Sequence, residues 1–459
     1  MTKVYPKLLF SPIYFEKVFN DKIQKSRSKG LDKMSVEHLK RDKVNIYAHI
    51  INKCLNQKFE FTPYLELLKL KGANDFPRAI SIPTLRDRFV LYALKEVLHS
   101  KFPESINKKL PNKYIYDIKD YISSFPGSYY YKIDIEKFYD TINQDLLIDI
   151  LENRKLNPIF LYLIKKAIKN PTISANTGKG DKKRFLKQEG IPQGLPISNI
   201  LAQIYINNFD EEISKRDYLY SRYVDDIILI SKEEISNYRK YKIRKALNNI
   251  NLKINKGKTS YGTVKDGFVF LSYFINENNI SISDKNVQIF IRRVASKFTW
   301  YKNSEFNKHR RSDWLDDDDR FKEVFIEELN EVITGSVSNK KNYGWLFYFS
   351  EMNDVQLLFR IDKIIENFFS QLKSFGYKKP KELKKLVRTY YAIKFGTNRN
   401  YLNNYDNYNT HRKKRKFLEF RGIIDPKSHK SELEIDYLFI RFRDKNLKNL
   451  EKDVGYSYF

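Results

Sequence analysis

Hydrophobic and polar positions divide the chain into a mixed first part and a helical second part. Residues 128–135 join aromatic to β-branched side chains and predict a strand. Alternation places Tyr130, Lys132 and Asp134 on one face and Tyr131, Ile133 and Ile135 on the other. Past Ile135 the period lengthens, and Phe138, Ile142, Leu146, Leu147 and Ile150 predict a helix. Tyr218-Leu219-Tyr220 and Ile227-Ile228-Leu229-Ile230 predict the strands of a hairpin, with Tyr223-Val224-Asp225-Asp226 at its turn. Upstream, Gly190-Ile191-Pro192-Gln193-Gly194-Leu195-Pro196-Ile197-Ser198-Asn199 is a Gly/Pro-punctuated loop. It offers Ser198 or Asn199 as the N-cap of a helix carrying Ile200, Leu201, Ile204, Phe209 and Ile213. Residues 172–187, rich in Gly and Lys, read as a flexible basic connection. Beyond Ile282 the periods are helical, amphipathic over 287–300, 321–333, 354–375 and 381–395, without a fixed-length repeat. The fold class predicted is α+β.

Paired acids at a hairpin turn need a reason. Asp225 and Asp226 repel each other between apolar flanks. A hard divalent cation removes the conflict, because Mg²⁺ prefers carboxylate oxygens and also binds nucleotide phosphates. An ordinary Asp-rich turn is the alternative. Asp134 ends its strand, where open α/β layers place ligands, or it caps the helix that follows. Two-metal catalysis needs carboxylates from separate strands, holding ions about 3.5–4 Å apart to activate a 3′-hydroxyl and stabilise departing pyrophosphate. Gln193 beside Gly194 lets backbone and amide approach a planar ligand, unless the segment is a plain loop into a core helix.

Composition narrows the partners. The net charge is +29, from 85 Lys+Arg against 56 Asp+Glu, and aromatics make up 15% of the chain. That balance suits phosphate neutralisation and base stacking, although a low-GC codon bias also enriches Lys, Asn, Ile, Tyr and Phe. A chain of 459 residues can bury ample core in two or three domains. A lone cysteine, Cys54, excludes an internal disulfide and a multi-cysteine zinc site. The six histidines lack nuclease-type metal spacing. No apolar run is long enough to span a membrane and the first residues do not read as a signal peptide, so a cytoplasmic setting is expected.

Taken in order, these segments resemble the motifs of reverse transcriptases. Asp134 in Lys-Ile-Asp-Ile-Glu-Lys-Phe-Tyr-Asp is similar to the first palm motif, Pro192-Gln193-Gly194 to the second and Tyr223-Val224-Asp225-Asp226 to the third. Residues 252–259 resemble the fourth motif and Phe270-Leu271-Ser272-Tyr273 the primer-grip hairpin. Residues 78–88 resemble the fingers block of retron and group II intron enzymes, and Gly30-Leu31-Asp32 the opening of their domain. The sequence departs from that pattern at Ser198-Asn199, where the family usually has Ser-Pro, and at Ser272, where it usually has Gly.

The resemblance implies a right-hand polymerase fold and an RNA-directed DNA polymerase, a nucleotidyltransferase. Residues 1–110 would form an N-terminal extension and fingers, 111–282 the palm, and 283–459 a helical thumb and C-terminal region. Asp134, Ile135, Asp225 and Asp226 would hold two Mg²⁺ ions, with Mn²⁺ as a substitute. Lys71, Arg78 and Arg88 are candidates for the incoming triphosphate, with Gln193 and Gly194 beside the nucleotide. Tyr139, five residues after Asp134, would occupy the space of a 2′-hydroxyl and favour deoxynucleotides, unless Asp140 reads the sugar. Lys258 would be the general acid to pyrophosphate. Leu271, Ser272 and Tyr273 would form the primer grip.

Three features of the tail remain open at this stage. Arg412, Lys413, Lys414 and Arg415, with Tyr401, Tyr405 and Tyr408 nearby, could grip an RNA backbone or form a plain charged face. The acidic run from Asp313 to Asp319 follows His309-Arg310-Arg311 and reads as a solvated loop balancing those bases. Tyr456 and Tyr458 could offer priming hydroxyls, since some defence-associated reverse transcriptases start DNA on a protein hydroxyl. A stand-alone polymerase with a long helical tail most resembles the abortive-infection and other phage-defence groups of bacteria. That resemblance implies dNTPs, a DNA product and a cognate non-coding RNA template, with no membrane partner, and an oligomer is compatible with it. A retron or intron-type enzyme is one alternative, and an RNA-binding scaffold without catalysis is the other.

Overall fold

The computed structural model describes residues 5–452 except Lys25, Arg27, 71–75, 179–184 and Lys187. Two compact units emerge: residues up to 109 with 129–262, and residues 110–128 with those from 263 onward.

The first unit contains β1 (Tyr64–Lys69), β2 (Arg78–Ile82), β3 (Tyr129–Asp134), β4 (Thr172–Ile173), β5 (Leu219–Tyr223), β6 (Asp226–Ser231) and all but the last residue of β7 (Ser260–Thr263). One sheet runs β2-β1-β4, with β1 antiparallel to β2 and parallel to β4. The other runs β5-β6-β3-β7. β6 is central because its apolar run, Ile227 to Ile230, has no exposed surface, as expected of a strand covered on both faces. The helices Leu85–Lys101, Gln144–Asn153, Pro158–Lys169 and Ser198–Ser214 share its core, contributing among others Leu94, Leu147, Leu163 and Leu201. Each such side chain contributes about 1.5–3 kcal/mol of burial free energy.

Two local expectations are corrected here. The helix expected after Asp134 is broken into a single turn, Phe138–Thr141, and a new helix from Gln144. The carbonyls of Tyr139 and Ile142 accept instead from Ile191 and Gly190, each at 2.8 Å. The Asn143 side chain then caps the second helix by accepting from the Leu146 N–H at 2.9 Å. Neither Ser198 nor Asn199 is an N-cap either. Ile197 holds that position, and the Ser198 hydroxyl donates to the Pro192 carbonyl at 2.5 Å, tying the loop to the helix it leads into.

The second unit carries β8 (Phe268–Phe270), β9 (Tyr273–Ile275) and β10 (Ile280–Ile282) in an antiparallel meander. A smaller sheet joins β11 (Ser336–Ser338), β12 (Lys341–Tyr343) and β13 (Asn403–Asn404). Its helices include Pro111–Ser124, Asp284–Phe306, Asp318–Thr334, Val355–Phe368, Leu386–Phe395, His411–Phe420 and Glu432–Lys452. The helix expected over 354–375 stops at Phe368 and continues as two 3₁₀ turns. Glu331, only 5% exposed, ties the smaller sheet to the last helices. It accepts from Ser336 at 3.2 Å, Tyr405 at 2.5 Å and Asn446 at 3.2 Å, with the Arg421 guanidinium 4.0 Å away.

The β8–β9 hairpin closes through Leu271 and Ser272, at φ +47° and +68°. Two successive left-handed residues make a type I′ turn, which favours Gly or Asn. The structure thus gives a physical reason for the family's usual Gly at position 272. The Ser272 carbonyl accepts from Ser283 at 3.0 Å and that of Leu271 from the Tyr348 hydroxyl at 3.0 Å, so the strained turn is pinned from outside. Ser272→Gly should leave stability unchanged or raise it by up to about 1 kcal/mol, whereas Ser272→Val should cost about 1–2 kcal/mol. Chemical denaturation of the two variants checks the difference in sign.

Candidate active site

Every part of the site described here is built on the first unit. β5 and β6 pair Tyr223 with Asp226, leaving Val224 and Asp225 as the two-residue turn. Val224 adopts φ +58°, a conformation that costs a β-branched residue about 1–2 kcal/mol. Arg222 holds the turn in place by donating from Nη1 to the Val224 carbonyl at 2.9 Å. Its guanidinium is fixed in turn by Asp210 (Nε to Oδ1, 2.7 Å) and by the Gln203 amide oxygen at 2.7 Å. Tyr220 donates to the same Asp210 carboxylate at 2.5 Å. Sequence reasoning missed this brace. Its one signal was an arginine inside an otherwise apolar and aromatic strand, and the partner sits twelve residues upstream on a helix.

Asp226 opens β6 directly opposite Asp134, the last residue of β3. The Asp225 carbonyl accepts from Ile135 N–H at 3.2 Å, so the turn lies over the end of β3. Beyond Asp134 the chain is stitched to the 252–259 loop, with Glu136 N–H donating to Lys253 at 2.8 Å and Asn255 N–H to Asp134 at 2.8 Å. These bonds use the Asp134 and Lys253 carbonyls and not that of Ile135.

Like charge and partial burial dominate the electrostatics. Burial pushes the Asp225 carboxyl up to about 6, Asp226 and Asp134 add to the rise, and Arg78 opposes it. Asp134 is also raised, first by burial, against the pull of Lys258 and with a further push from Asp226. Lys258 Nζ lies 4.0 Å from Asp134 Oδ2, and Lys132 Nζ 3.8 Å from Asp226 Oδ1. Among the described residues, no three or more His, Cys, Asp or Glu side chains form a ready-made metal cage. An oxygen-only set with unbalanced negative charge nonetheless fits Mg²⁺, which commonly binds one or two carboxylates and completes its shell with water and substrate phosphate.

The Gln193–Gly194 loop borders the same region. Ser81 N–H on β2 donates to the Gln193 carbonyl at 2.7 Å. Gly194 has φ +99°, and a Cβ there would lie 2.7 Å from Ile80 Cγ2, so only glycine allows this approach. Tyr139 is partly buried, its hydroxyl pushed up to about 12 by burial and by Asp225 and eased by Arg78. Tyr139, Asp225 and Arg78 therefore share one electrostatic neighbourhood. Asp140 is exposed, and its backbone lies against Gly190.

The remaining candidates divide. Lys71 lies outside the described residues, as do Tyr456 and Tyr458. Arg88 is corrected to a structural role: its buried guanidinium donates to Pro83, Ser26 and Ser28, leaving it bound to the protein's own N-terminal segment. Leu271, Ser272 and Tyr273 belong to the second unit. There too, Lys414 pairs with Asp436 at 2.8 Å and Arg415 with Glu419 at 2.7 Å, while Arg412 and Lys413 are exposed. Tyr405, at 3% exposure, is a core residue and presents no face to RNA. In the acidic run, Asp318 pairs with Arg311 at 2.6 Å and Asp317 caps a helix.

Residues 70–275 match the family model described as reverse transcriptase (RNA-dependent DNA polymerase). That stretch, which holds Asp134, Gln193, Asp225 and Asp226, is thus similar to a reverse transcriptase domain, and the mixed α/β fold around it fits the fingers and palm of a right-hand polymerase. Protein YkfC of Escherichia coli is 25% identical over 244 residues, covering 43% of this chain and 62% of that protein. An uncharacterized 91 kDa protein in the cob intron of Schizosaccharomyces pombe is 28% identical over 176 residues, covering 37% and 21%. The chain therefore spans less than two thirds of the curated relatives it matches. A Candida albicans telomerase structure aligns at TM-score 0.40 with 14% identity over 85% of this chain and 69% of that one, a likeness too low to carry weight.

The raised Asp225 carboxyl makes a stability prediction. With a folded value of about 6 against 3.8 unfolded, the protonated form is favoured by folding. Metal-free protein should therefore lose stability as pH rises from about 4 to 6, by up to about 3 kcal/mol, and stay lower above that. Asp225→Asn removes this loss, so its metal-free thermal midpoint at about pH 7.5 should exceed that of the wild type. Added Mg²⁺ should raise the wild-type midpoint and leave the variant nearly unmoved. Melting both proteins with chelator and with Mg²⁺ decides it.

Proposed function

We propose that the chain is an RNA-directed DNA polymerase that adds deoxynucleotides to a 3′-hydroxyl with two divalent cations, Mg²⁺ by preference. The observation that carries this reading is the cross-strand pair of Asp134 and Asp226, with Asp225 beside it driven towards protonation by its neighbours. Asp134, Asp225, Asp226 and the Ile135 main chain would hold the ions. When bound, they supply a nucleophilic 3′-oxygen and charge stabilisation at the leaving pyrophosphate. Arg78 would position the triphosphate by charge-assisted hydrogen bonds, and Lys258, beside Asp134, would deliver a proton to the departing phosphate. Tyr139 would exclude a 2′-hydroxyl, and the primer end would rest on Leu271 to Tyr273.

The finer role rests on resemblance. A reverse transcriptase domain followed by a long helical region is similar to the phage-defence groups of bacteria. In that reading a cognate non-coding RNA is copied in the cytoplasm to arrest phage growth. Among the described residues, no helix is long and apolar enough to cross a membrane.

Asp225→Asn with Asp226→Asn should abolish DNA synthesis and leave RNA affinity within about twofold, because carboxylates hold cations and basic residues hold phosphate. Normal polymerisation by the double variant would refute the site. Sequencing the nucleic acid that co-purifies with each protein tests the template. One small RNA in both, with complementary DNA in the wild type alone, is the expected result. Tyr139→Ala should admit ribonucleotides, raising their incorporation relative to deoxynucleotides by about tenfold or more. Unchanged selectivity in a primer-extension assay would move the sugar gate elsewhere.

A further inference from the structure

The first unit contains an open groove of about 1330 Å³ that Asp134, Asp225 and Asp226 do not line. Its walls are the turn after β3, the helix Asn237–Asn249 and the loop that follows that helix. The walls are joined where Glu136 N–H donates to the Lys253 carbonyl. Lys137, Lys240, Arg244, Lys253 and Lys256 line the groove, against two acids, Glu136 and Glu189. Lys137, Arg244, Lys253 and Lys256 are exposed, whereas Lys240 is largely covered, lying 3.8 Å from Glu234 and 3.7 Å over the ring of Tyr261. Tyr261 itself is 62% exposed, so a flat apolar surface remains open beside the cations.

The helical wall is densely basic. Residues 237–249 carry Arg239, Lys240, Lys242, Arg244 and Lys245 and no acid. Elsewhere carboxylates meet some of the bases: Lys414 pairs with Asp436 of another helix, Arg415 with Glu419, and Glu432–Lys452 interleaves both signs. A merely solvated face would be expected to show that interleaving. Like charges gathered in a concavity raise its potential and attract a polyanion. The volume exceeds the roughly 300–1,000 Å³ of small-molecule pockets, which favours a polymer over a single nucleotide.

We propose that this groove is a second polynucleotide site, outside the polymerase active site, that holds a single-stranded segment. The four exposed bases neutralise its phosphates and the open face of Tyr261 stacks an unpaired base. Asn237, Asn248 and Asn251 add amides to the lining for contacts with sugar or base edges. The site would anchor RNA or DNA irrespective of catalysis, and its test reads binding alone.

Protein is first saturated with an unlabelled primer–template duplex, and a labelled single strand of about 15 nucleotides, RNA or DNA, is then titrated over a range of salt. The strand should still bind. Arg244→Glu with Lys253→Glu should weaken it by about tenfold or more at about 0.1 M salt and flatten the log–log salt slope by at least about 1.4, leaving duplex affinity unchanged. The tighter of the RNA and DNA arms identifies the natural strand, and equal affinity means a site that reads the backbone alone. Displacement of the strand by duplex, an unchanged affinity and slope, or an equal loss of duplex binding would each overturn the proposal. Should the charge reversals alter the melting curve, Arg244→Gln with Lys253→Gln gives the same comparison with a slope change of about 1.4.

Discussion

Two carboxylates face each other across adjacent strands, and nothing in their own chemistry favours it. The pairing of Asp134 with Asp226 is the end of a ladder that also opposes Ile133 to Ile227 and Tyr131 to Leu229. A slip of one residue in β3 would carry Ile133 to the face that holds Lys132 and Asp134, and those charged side chains into the core. Four fully buried aliphatic residues at about 1.5–3 kcal/mol each outweigh the repulsion at the sheet's end. Hydrophobic burial therefore fixes the register, and the register imposes the clustered charge. A cation bound there would relieve a conflict that folding has already created.

The same logic extends through the backbone. Val224 sits in a left-handed conformation that its side chain disfavours, and the Arg222 brace meets the turn at the Val224 carbonyl. The Gly190–Gly194 loop is held by main-chain bonds to Tyr139, Ile142 and Ser81, so its position follows from hydrogen bonds that a helix after Asp134 would otherwise have used. Breaking that helix at Ile142 is thus what lets Tyr139 and Gln193 approach one region. Side-chain identities supply the chemistry; the main-chain ladder supplies their placement.

How much of this could be read beforehand depended on the range of the interaction. Strands β3, β5 and β6 and the turn acids were legible because period-two alternation and apolar runs are local signals. The ends of elements were less so. Ser198 looked like a cap because capping residues are recognised by type, but its hydroxyl found the Pro192 carbonyl instead. Arg88 lay in a motif-like segment, and only the fold revealed that Ser26 and Ser28 occupy its guanidinium. The Arg222–Asp210 brace and the Glu331 knot were invisible for the same reason: each joins residues whose proximity depends on tertiary structure. The helix Asn237–Asn249, with five bases and no acid, was not singled out from the sequence, because bases abound everywhere else in the chain.

That last point bears on what a net charge of +29 means. Total charge describes how strongly the chain attracts polyanions, not where. Much of the basic surface is committed within the protein: Arg311 to Asp318, Lys297 to Glu328, Lys414 to Asp436, Arg421 among Glu327, Glu328 and Glu331. Those pairs stabilise the second unit and are unavailable to phosphate unless broken, with the buried Arg421 the most costly to disturb. The lysines that flank the carboxylates, Lys132 and Lys258, are likewise partly engaged. Among the described residues, one place where exposed bases gather with few acids is the helix Asn237–Asn249 with the loop after it. Distribution therefore carries information about binding that composition lacks, and it sets the basic groove apart from the clustered carboxylates.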